Sequence, residues 1–236
     1  MQIYVGTSGF QYEFWRGNFY SEKCPKADML REYGLQLRSV EVNNTFYRMP
    51  KSDVLAKWAS QVPDGFRFTL KASRRITHMK RLKEPGEPID WLFSSAKALG
   101  DRLGPVLFQL PPNLKRDDER FSGFLACLPA DALATMEFRH ESWFDAAVYT
   151  RLRERGVALC ISDEGEGEKA TPFESTADWG YLRLRREMYT DYDLADVVDK
   201  VAAQPWSAVY AYFKHEEGGP ALARRLRDML ESKVAK

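Results

Sequence analysis

The chain has 236 residues, of which 35 are Lys or Arg and 34 are Asp or Glu, so its formal net charge is +1. A protein that binds polyanions without specificity usually carries a clear basic excess, and an acidic solvating segment carries the reverse. Neither class fits this chain. With 44% hydrophobic and 13% aromatic residues it can bury a large core, which excludes disorder as its main state.

The cysteine pattern and the absence of long apolar runs indicate the cellular setting. Cys24, Cys127 and Cys160 are scattered and form no C-x-x-C pair, which argues against a disulfide framework and against a thiolate zinc site. The first residues, Met1–Gly6, read as a strand rather than as a leader, and no apolar run reaches the roughly 18 residues of a membrane span. We expect a soluble, cytoplasmic protein with no membrane partner.

Short runs of β-branched and aromatic residues alternate along the chain with amphipathic stretches. The predicted strands are Gln2–Gly6, Val40–Asn43, Phe66–Ala72, Pro105–Leu110, Ala134–Arg139, Val157–Ser162, Gly180–Arg185 and Ala208–Lys214. The predicted helices are Lys26–Leu37, Asp53–Gln61 after Ser52, Ile89–Leu103 opened by Pro88, Asp118–Leu128, Glu141–Arg155 closed by Gly156, Leu194–Ala203 and Pro220–Lys233.

Eight strands alternating with helices predict an α/β fold, a (β/α)8 TIM barrel that forms one domain over residues 1–236. The sixth β-to-α connection, Asp163–Trp179, is predicted to be irregular because it is rich in Gly and Glu, above all in the stretch Glu164–Glu168. A doubly wound open sheet is the alternative architecture.

In a barrel, alternate strand residues face the helices and the interior, and sites form at the carboxyl ends of the strands. Six strands show this alternation clearly, with apolar residues on the helix-facing side. The residues predicted to face inward are Glu41, Asn43, Thr69, Lys71, Gln109, Glu137, Arg139, Tyr181, Arg183, Arg185, Tyr210, Tyr212 and Lys214.

The predicted barrel mouth is net cationic although the whole chain is almost neutral. Its cations are Lys71, Arg139, Arg183, Arg185 and Lys214, and its carboxylates are Glu41 and Glu137, with Asp163 a further candidate. A positive potential in a concave site favours an anionic ligand, which Arg can hold in a bidentate way. The alternative is that these side chains form an ion-pair network that ties the strands together.

Several motifs in order along the chain resemble one known family. They are Gly6-Thr7-Ser8-Gly9-Phe10, Val42-Asn43-Asn44-Thr45-Phe46-Tyr47, Phe68–Lys71 followed by Ile76-Thr77-His78, Leu107–Pro112 and Glu137–Trp143. Together they resemble the YecE-like family, domain of unknown function 72, from Gly6 to about Phe213. The resemblance implies a TIM barrel and no established reaction.

The chain departs from the pattern of that family at two places in the predicted mouth. Members often carry a His-Gly pair after the seventh strand, where this chain has Arg185-Arg186. They often carry an Asn pair after the eighth strand, where this chain has Lys214-His215-Glu216. The resemblance therefore does not imply one ligand shared by all members.

Three further kinds of chemistry fit the residue types near the strand ends. Glu41, Glu137 and His140 are candidates for acid/base catalysis, and His78 is a second imidazole in a loop where catalytic groups belong. The two glutamates could serve a glycosidase, which is less favoured because nearby cations lower a carboxyl pKa. A divalent metal is a further alternative that we do not favour, with ligands among Glu41, Glu137, His140, Asp163, His215 and Glu216.

Aromatic residues are abundant where the mouth is predicted. The first loop contains Phe10, Tyr12, Phe14, Trp15, Phe19 and Tyr20, and later loops add Phe46, Tyr47, Trp143 and Tyr189. These rings could stack on a sugar or a base, or they could form a plug that closes the top of the barrel. Both interpretations stay open at the level of sequence.

The sequence favours an enzyme that acts on a phosphorylated or otherwise anionic small molecule or nucleotide, with its cofactor and oligomeric state unknown. Glu41, Glu137 and His140 are the predicted catalytic residues. The predicted ligand-binding residues are Asn43, Lys71, His78, Gln109, Arg139, Trp143, Arg183, Arg185, Tyr189 and Lys214. The second hypothesis is a non-catalytic module that binds nucleic-acid ends or an acidic partner.

Overall fold

Eight parallel strands form a closed barrel in which each strand pairs with its neighbours in sequence order and β8 pairs with β1. The structure is a computed structural model that describes residues 1–163, 171–214 and 216–235. The strands are β1 (Gln2–Ser8), β2 (Ser39–Val42), β3 (Arg67–Lys71), β4 (Leu103–Gln109), β5 (Ala134–Glu137), β6 (Ala158–Ser162), β7 (Trp179–Leu184) and β8 (Ala208–Phe213). The predicted TIM barrel is confirmed.

Helices on the outside of the barrel connect most of the strands. They are α1 (Met29–Gln36), α2 (Ser52–Gln61), α3 (Gly86–Ala96), α4 (Asp118–Ala126), α5 (Ala146–Glu154), α6 (Asp191–Ala202) and α7 (Gly219–Val234). Between β6 and β7 the described residues 171–178 contain no helix, and the predicted loop Glu164–Glu168 lies outside the described residues. Within the described ranges, no helix is long and apolar enough to cross a membrane.

Local sequence explains why some helix boundaries differ from those predicted. The predicted helix that ends at Leu103 stops instead at Ala96, and the 3-10 turns that follow over Lys97–Arg102 are interrupted at Gly100, with φ 54° and ψ −136°. Gly156, at φ 60°, follows the end of α5 as predicted. Ser52 is not the N-cap of α2, which it begins as the first helical residue.

The strand residues form two apolar layers with opposite orientations. Helix-facing residues such as Val40, Phe68 and Leu182 pack in one large core cluster against the helices. Interior residues form a separate cluster made of Tyr4, Leu107, Ala158, Cys160, Trp179, Tyr181, Tyr210 and Tyr212. The barrel interior is therefore filled with tyrosine rings, and its polar residues gather at the carboxyl ends of the strands.

The Tyr33 side chain of α1 inserts its hydroxyl between β1 and β2. The hydroxyl accepts a hydrogen bond from the backbone N–H of Thr7 at 2.9 Å and donates one to the backbone oxygen of Ser39 at 2.9 Å. Gly6 makes room for this arrangement, since a Cβ there would lie 1.9 Å from the Ser39 oxygen and 2.9 Å from the Tyr33 hydroxyl.

We predict that Gly6→Ala destabilises the barrel by about 3 kcal/mol, because backbone atoms of β2 must move to admit the methyl group. Gly123→Ala in α4 is the matched control, since no atom lies within 4 Å of its added Cβ. The control should stabilise the protein by about 0.5 to 1 kcal/mol, as Ala favours a helix more than Gly does. Urea unfolding measures both, and equal effects of the two variants would contradict the account.

Candidate active site at the barrel mouth

One arginine joins two buried carboxylates at the carboxyl end of the barrel. Arg183 on β7 places Nη1 2.7 Å from Oε2 of Glu137 on β5 and Nη2 2.9 Å from Oε1 of Glu41 on β2. Both glutamates are fully buried and Arg183 is 3% exposed. The guanidinium therefore links three strands that are not neighbours in the sheet.

Neutral donors complete the hydrogen bonding of Glu41. Its Oε1 accepts bonds from Ser8 Oγ at 2.7 Å and from Asn43 Nδ2 at 3.1 Å, in addition to the bond from Arg183. Its Oε2 accepts a 2.6 Å bond from the Tyr181 hydroxyl. Both oxygens of this buried carboxylate are thus satisfied by the protein itself.

Glu137 is surrounded in a similar way, but with a second cation. Its Oε1 lies 2.5 Å from Nη2 of Arg139 and accepts a 3.1 Å bond from Gln109 Nε2. Arg139 follows the end of β5, and its side chain is 16% exposed, so it stands between the buried network and solvent. The carboxylate therefore has a cation on each of its two oxygens.

The cations keep both glutamates ionised. Burial alone would raise the pKa of Glu137, but Arg183 and Arg139 outweigh that effect and lower the pKa to about 2. Burial alone would also raise the pKa of Glu41, but Arg183, together with the Tyr181 and Ser8 hydroxyls, outweighs that effect and lowers the pKa. Neither group is suited to hold a proton near pH 7, as a general acid must.

Lys71 lies at the end of β3 beside this network and has a different environment. Its side chain is half-buried, and its Nζ lies 4.6 Å from the centre of the Phe46 ring. Burial and the nearby Arg183 lower its pKa to about 8, against the opposing effect of Glu137 and Glu41. Within the described residues, no carboxylate lies within ion-pair distance of its ammonium group.

Two more cations follow the last strands of the barrel. Arg185 comes directly after β7, and its backbone N–H donates a 2.7 Å hydrogen bond to Asp163. Burial and Arg183 lower the pKa of the Arg185 guanidinium. Lys214 follows β8 and is half-buried. These side chains add positive charge around a centre whose two carboxylates are already paired.

A second cluster, formed by Asp163, Arg186, Tyr189 and Asp193, borders the mouth next to β7. Asp163 accepts a 2.6 Å hydrogen bond from the Tyr189 hydroxyl and lies 3.1 Å from Arg186 Nε. Arg186 also pairs with Asp193 at 3.0 Å and lies 4.6 Å from the centre of the Tyr189 ring. The hydroxyl and one face of Tyr189 are therefore engaged within the protein.

Comparison with known proteins places the chain in a family. The family described as Protein of unknown function DUF72 matches residues 4–236. The chain belongs to the DUF72 family. The resemblance to YecE-like proteins drawn from the motifs is thus confirmed.

Individual relatives of this DUF72 protein include a curated protein and a solved structure. UPF0759 protein YecE of Escherichia coli (strain K12) is 30% identical over 149 residues, which cover 61% of the chain and 55% of that relative. A DUF72 family protein of Thermotoga maritima is 27% identical with a TM-score of 0.86, covering 98% of this chain and 100% of that one. The chain thus aligns with little more than half the length of the curated relative.

A more distant structure shares the fold of this DUF72 protein. D-psicose 3-epimerase, solved in the presence of D-fructose, aligns with a TM-score of 0.55 and covers 100% of this chain and 97% of that one. The two sequences are 10% identical, so the likeness shows the barrel architecture alone.

The structure brings most of the predicted site residues of this DUF72 protein together. Those that share the network or border it are Glu41, Asn43, Lys71, Gln109, Glu137, Arg139, Arg183 and Arg185. His78 joins them through Phe46, since the two rings meet edge to face at 4.9 Å. Burial and the nearby Lys71 lower the pKa of His78, which keeps its imidazole neutral at pH 7.

Trp143 lies elsewhere, and its predicted role as a ligand contact is corrected. It is 1% exposed, stacks on Phe138 at 4.9 Å, and donates its indole N–H to the backbone oxygen of Leu114 at 2.7 Å. Both its ring and its polar atom are thus used inside the core between helices and strands. The sequence pattern could not separate a loop aromatic at the mouth from one folded beneath it.

His140 has a structural task that sequence reasoning did not reveal. Its Nδ1 accepts a 3.1 Å hydrogen bond from the backbone N–H of Ser142, which caps the short turn Glu141–Trp143. This leaves Nδ1 unavailable for proton transfer. The bond gives His140 a structural role in the loop, and only its Nε2 is left to exchange a proton, so its catalytic role stays a prediction.

The aromatic first loop mainly closes the barrel. Trp15, Phe19 and Tyr20 are all buried in the main core cluster, which supports the interpretation of a hydrophobic plug. Phe14 is 51% exposed and differs from them. Trp15 also donates its indole N–H to the backbone oxygen of Glu216 at 3.2 Å, which ties the first loop to the last.

Two partners of Glu41 were not predicted as site residues. Tyr181 was expected to face inward, but no role was assigned to it. Ser8 lies in the inward set of β1, formed by Tyr4, Gly6 and Ser8, and the two-residue period of that strand is the signal that identifies it. The hydroxyl groups of Ser8 and Tyr181 add to the effect of Arg183 in lowering the pKa of Glu41, and Arg183 is the one cation that directly contacts Glu41 among the described residues.

Among the described residues, the residue types considered for a metal do not form a compact ligand group. In the described ranges, no three His, Cys, Asp or Glu side chains are placed to hold a metal ion together. His215 lies outside the described residues. Glu41 and Glu137 each direct one oxygen to Arg183, and their other oxygens contact Tyr181 and Arg139 respectively.

We predict that Arg183→Met lowers the free energy of unfolding by about 3 to 5 kcal/mol, because it leaves two buried carboxylates with too little positive charge. Arg225→Met is the control, since Arg225 pairs with Asp191 on the surface and is 55% exposed; its effect should be small. The triple variant Glu41→Gln, Glu137→Gln, Arg183→Met should recover much of the loss. Urea unfolding at neutral pH measures these free energies. An equal loss in Arg183→Met and in the control Arg225→Met would contradict the structural role of Arg183.

Proposed function

We propose that this protein is an enzyme that binds a phosphorylated or otherwise anionic small molecule in the barrel mouth. The observation that carries the proposal is the charge that remains after the buried network is satisfied. Glu41 and Glu137 are fully engaged by Arg183, Arg139 and neutral donors. Lys71 and Lys214 add positive charge at the ends of their strands, which favours an anion in a concave, partly desolvated site.

The division of roles follows from burial. Lys71, Arg185 and Lys214 are half-buried at the ends of their strands, where a ligand can reach them. Glu41 and Glu137 have no exposed surface, so we assign them the task of holding Arg183 and Arg139 in place. Asn43 and Gln109 bond to the same carboxylates and stand at the border between the buried network and the mouth.

A buried acceptor atom on Asn43 also supports a ligand in the mouth. Its Nδ2 donates to Glu41, whereas its Oδ1 is buried and has no hydrogen-bond partner among the described residues. A buried amide oxygen without a partner carries a desolvation cost of about 1 to 3 kcal/mol. A hydroxyl or protonated group on the ligand would remove that cost, which supports a ligand with both an anionic group and a donor.

We predict that sulfate, which stays dianionic from weakly acidic to basic pH, binds the mouth more tightly below about pH 8 than above it. The pKa of Lys71 is about 8, so its ammonium loses its charge as the pH rises through that value. Affinity should therefore fall severalfold, up to about tenfold or 1.4 kcal/mol, between about pH 7 and pH 9.5. Isothermal titration calorimetry measures this change.

Lys71→Met should weaken sulfate binding at about pH 7 and remove most of its pH dependence. Lys57→Met is the matched control, because Lys57 is exposed on α2 and lies outside the mouth; it should leave both quantities unchanged. Sulfate affinity that is equal in the parent protein and in Lys71→Met at every pH would count against a mouth that binds anions.

A second candidate function is the binding of a single-stranded nucleic-acid end. The connection after β3 carries Arg74, Arg75, Lys80, Arg81 and Lys83. Arg74 lies 5.7 Å from the centre of the Tyr47 ring, and Tyr47 is 70% exposed. An exposed ring beside cations suits a base next to a phosphate. Oligonucleotide affinity that falls steeply with salt and depends on Arg74 and Tyr47, but not on Lys71, would favour this function.

A further inference from the structure

Lys71 differs from the arginines of the mouth in what its charged group touches. Arg183 and Arg139 each contact a glutamate, whereas Lys71 Nζ lies over the face of Phe46 at 4.6 Å. The aromatic face stabilises an ammonium weakly and offers no hydrogen bond. Because Arg183 and Arg139 already bind Glu137, the negative charge nearest to Lys71 is largely cancelled.

This environment favours the unprotonated form of the Lys71 amine, which is the form that acts as a nucleophile. A lysine amine reacts only when unprotonated, and enzymes obtain that state by desolvation or by placing a second cation nearby. Burial and Arg183 act together in this way on Lys71 and bring its pKa to about 8. At about pH 7.5, roughly a quarter of such amines are neutral, compared with roughly one in a thousand for an ordinary exposed lysine.

We propose that Lys71 forms a covalent imine with an anionic aldehyde or ketone bound in the barrel mouth. The inference rests on the proposed function and narrows its substrate class to carbonyl compounds that carry a carboxylate or a phosphate. Such a ligand places its carbonyl carbon next to Nζ and its anionic group in the positive field that Arg183 and Arg185 create around Lys71. The same site thus combines a cationic clamp with a reactive amine.

The step balances without any oxidant or reductant. The Nζ lone pair forms a bond to the carbonyl carbon, while the π electrons of the carbonyl move onto its oxygen. A proton passes from nitrogen to that oxygen, which gives a neutral carbinolamine. Protonation of the hydroxyl and loss of water then yield the iminium ion, so one amine, one carbonyl and one proton become one iminium and one water.

His78 is placed to take part in the proton transfers. Its ring contacts the Phe46 ring, over which the Lys71 ammonium group also lies. Its Nδ1 lies 2.9 Å from the Thr77 hydroxyl. Because its pKa is lowered by burial and by Lys71, the imidazole is neutral near pH 7 and can exchange a proton at its remaining nitrogen.

The test is reductive trapping of the full-length protein with two probes, pyruvate and dihydroxyacetone phosphate, in the presence of sodium borohydride. Peptide mapping by mass spectrometry locates the reduced adduct and compares Lys71 with Lys57, which is exposed on α2. We expect Lys71 to be labelled at least about tenfold faster than Lys57 near pH 8, because far more of its amine is neutral. Sulfate should protect Lys71 and leave Lys57 unaffected.

Lys71→Arg is the variant that separates the two proposals, since it keeps the positive charge but cannot form an imine. It should bind sulfate nearly as well as the parent protein and lose the trapped adduct, with its fold checked by thermal unfolding. If the parent protein binds sulfate but labels Lys71 no faster than Lys57, the imine is overturned and the anion site stands. If sulfate neither binds nor protects, the anion site itself is overturned.

Discussion

The contact between Arg183 and two buried glutamates is the interaction on which the rest of the mouth depends. Without the guanidinium, Glu41 and Glu137 would have to be buried as charges or protonated, and either state costs several kcal/mol. With it, both carboxylates are ionised at the centre of the barrel and fully hydrogen bonded. Three strands from different parts of the chain are thereby held at fixed positions, which gives the surrounding cations a rigid base.

The network also determines the character of Lys71. Arg183 and Arg139 neutralise the negative charge of the glutamates. Lys71 therefore lies in a positive and partly desolvated environment rather than in an ion pair. An anionic group beside it would restore the charge balance, and a carbonyl group would find a nucleophile. The binding and chemical proposals therefore have one physical origin, which is the surplus of positive charge around a satisfied core.

Much of this arrangement was predictable from the two-residue period of the strands. The alternation of apolar and polar residues indicated that Glu41, Glu137 and Arg183 face inward, and inside a closed barrel such residues must meet. The two-residue period gives the direction of a side chain but no distance between side chains. It therefore could not decide whether the glutamates bind a ligand or the arginines. It also does not extend into loops, where Trp143 turned out to pack in the core and His140 to cap a turn. Phe46 beneath Lys71 could be named as a mouth aromatic, but its contact depends on how the short turn after β2 folds.

The most direct test of the account is an NMR titration of the lysine side chains, labelled with carbon-13 at Cε. The account predicts one resonance, absent from Lys71→Arg, that titrates with a pKa of about 8. Sulfate should raise that pKa, because an anion in the mouth favours the charged amine. A Lys71 resonance that titrates near the ordinary lysine value of about 10.4 and does not respond to sulfate would contradict the central claim.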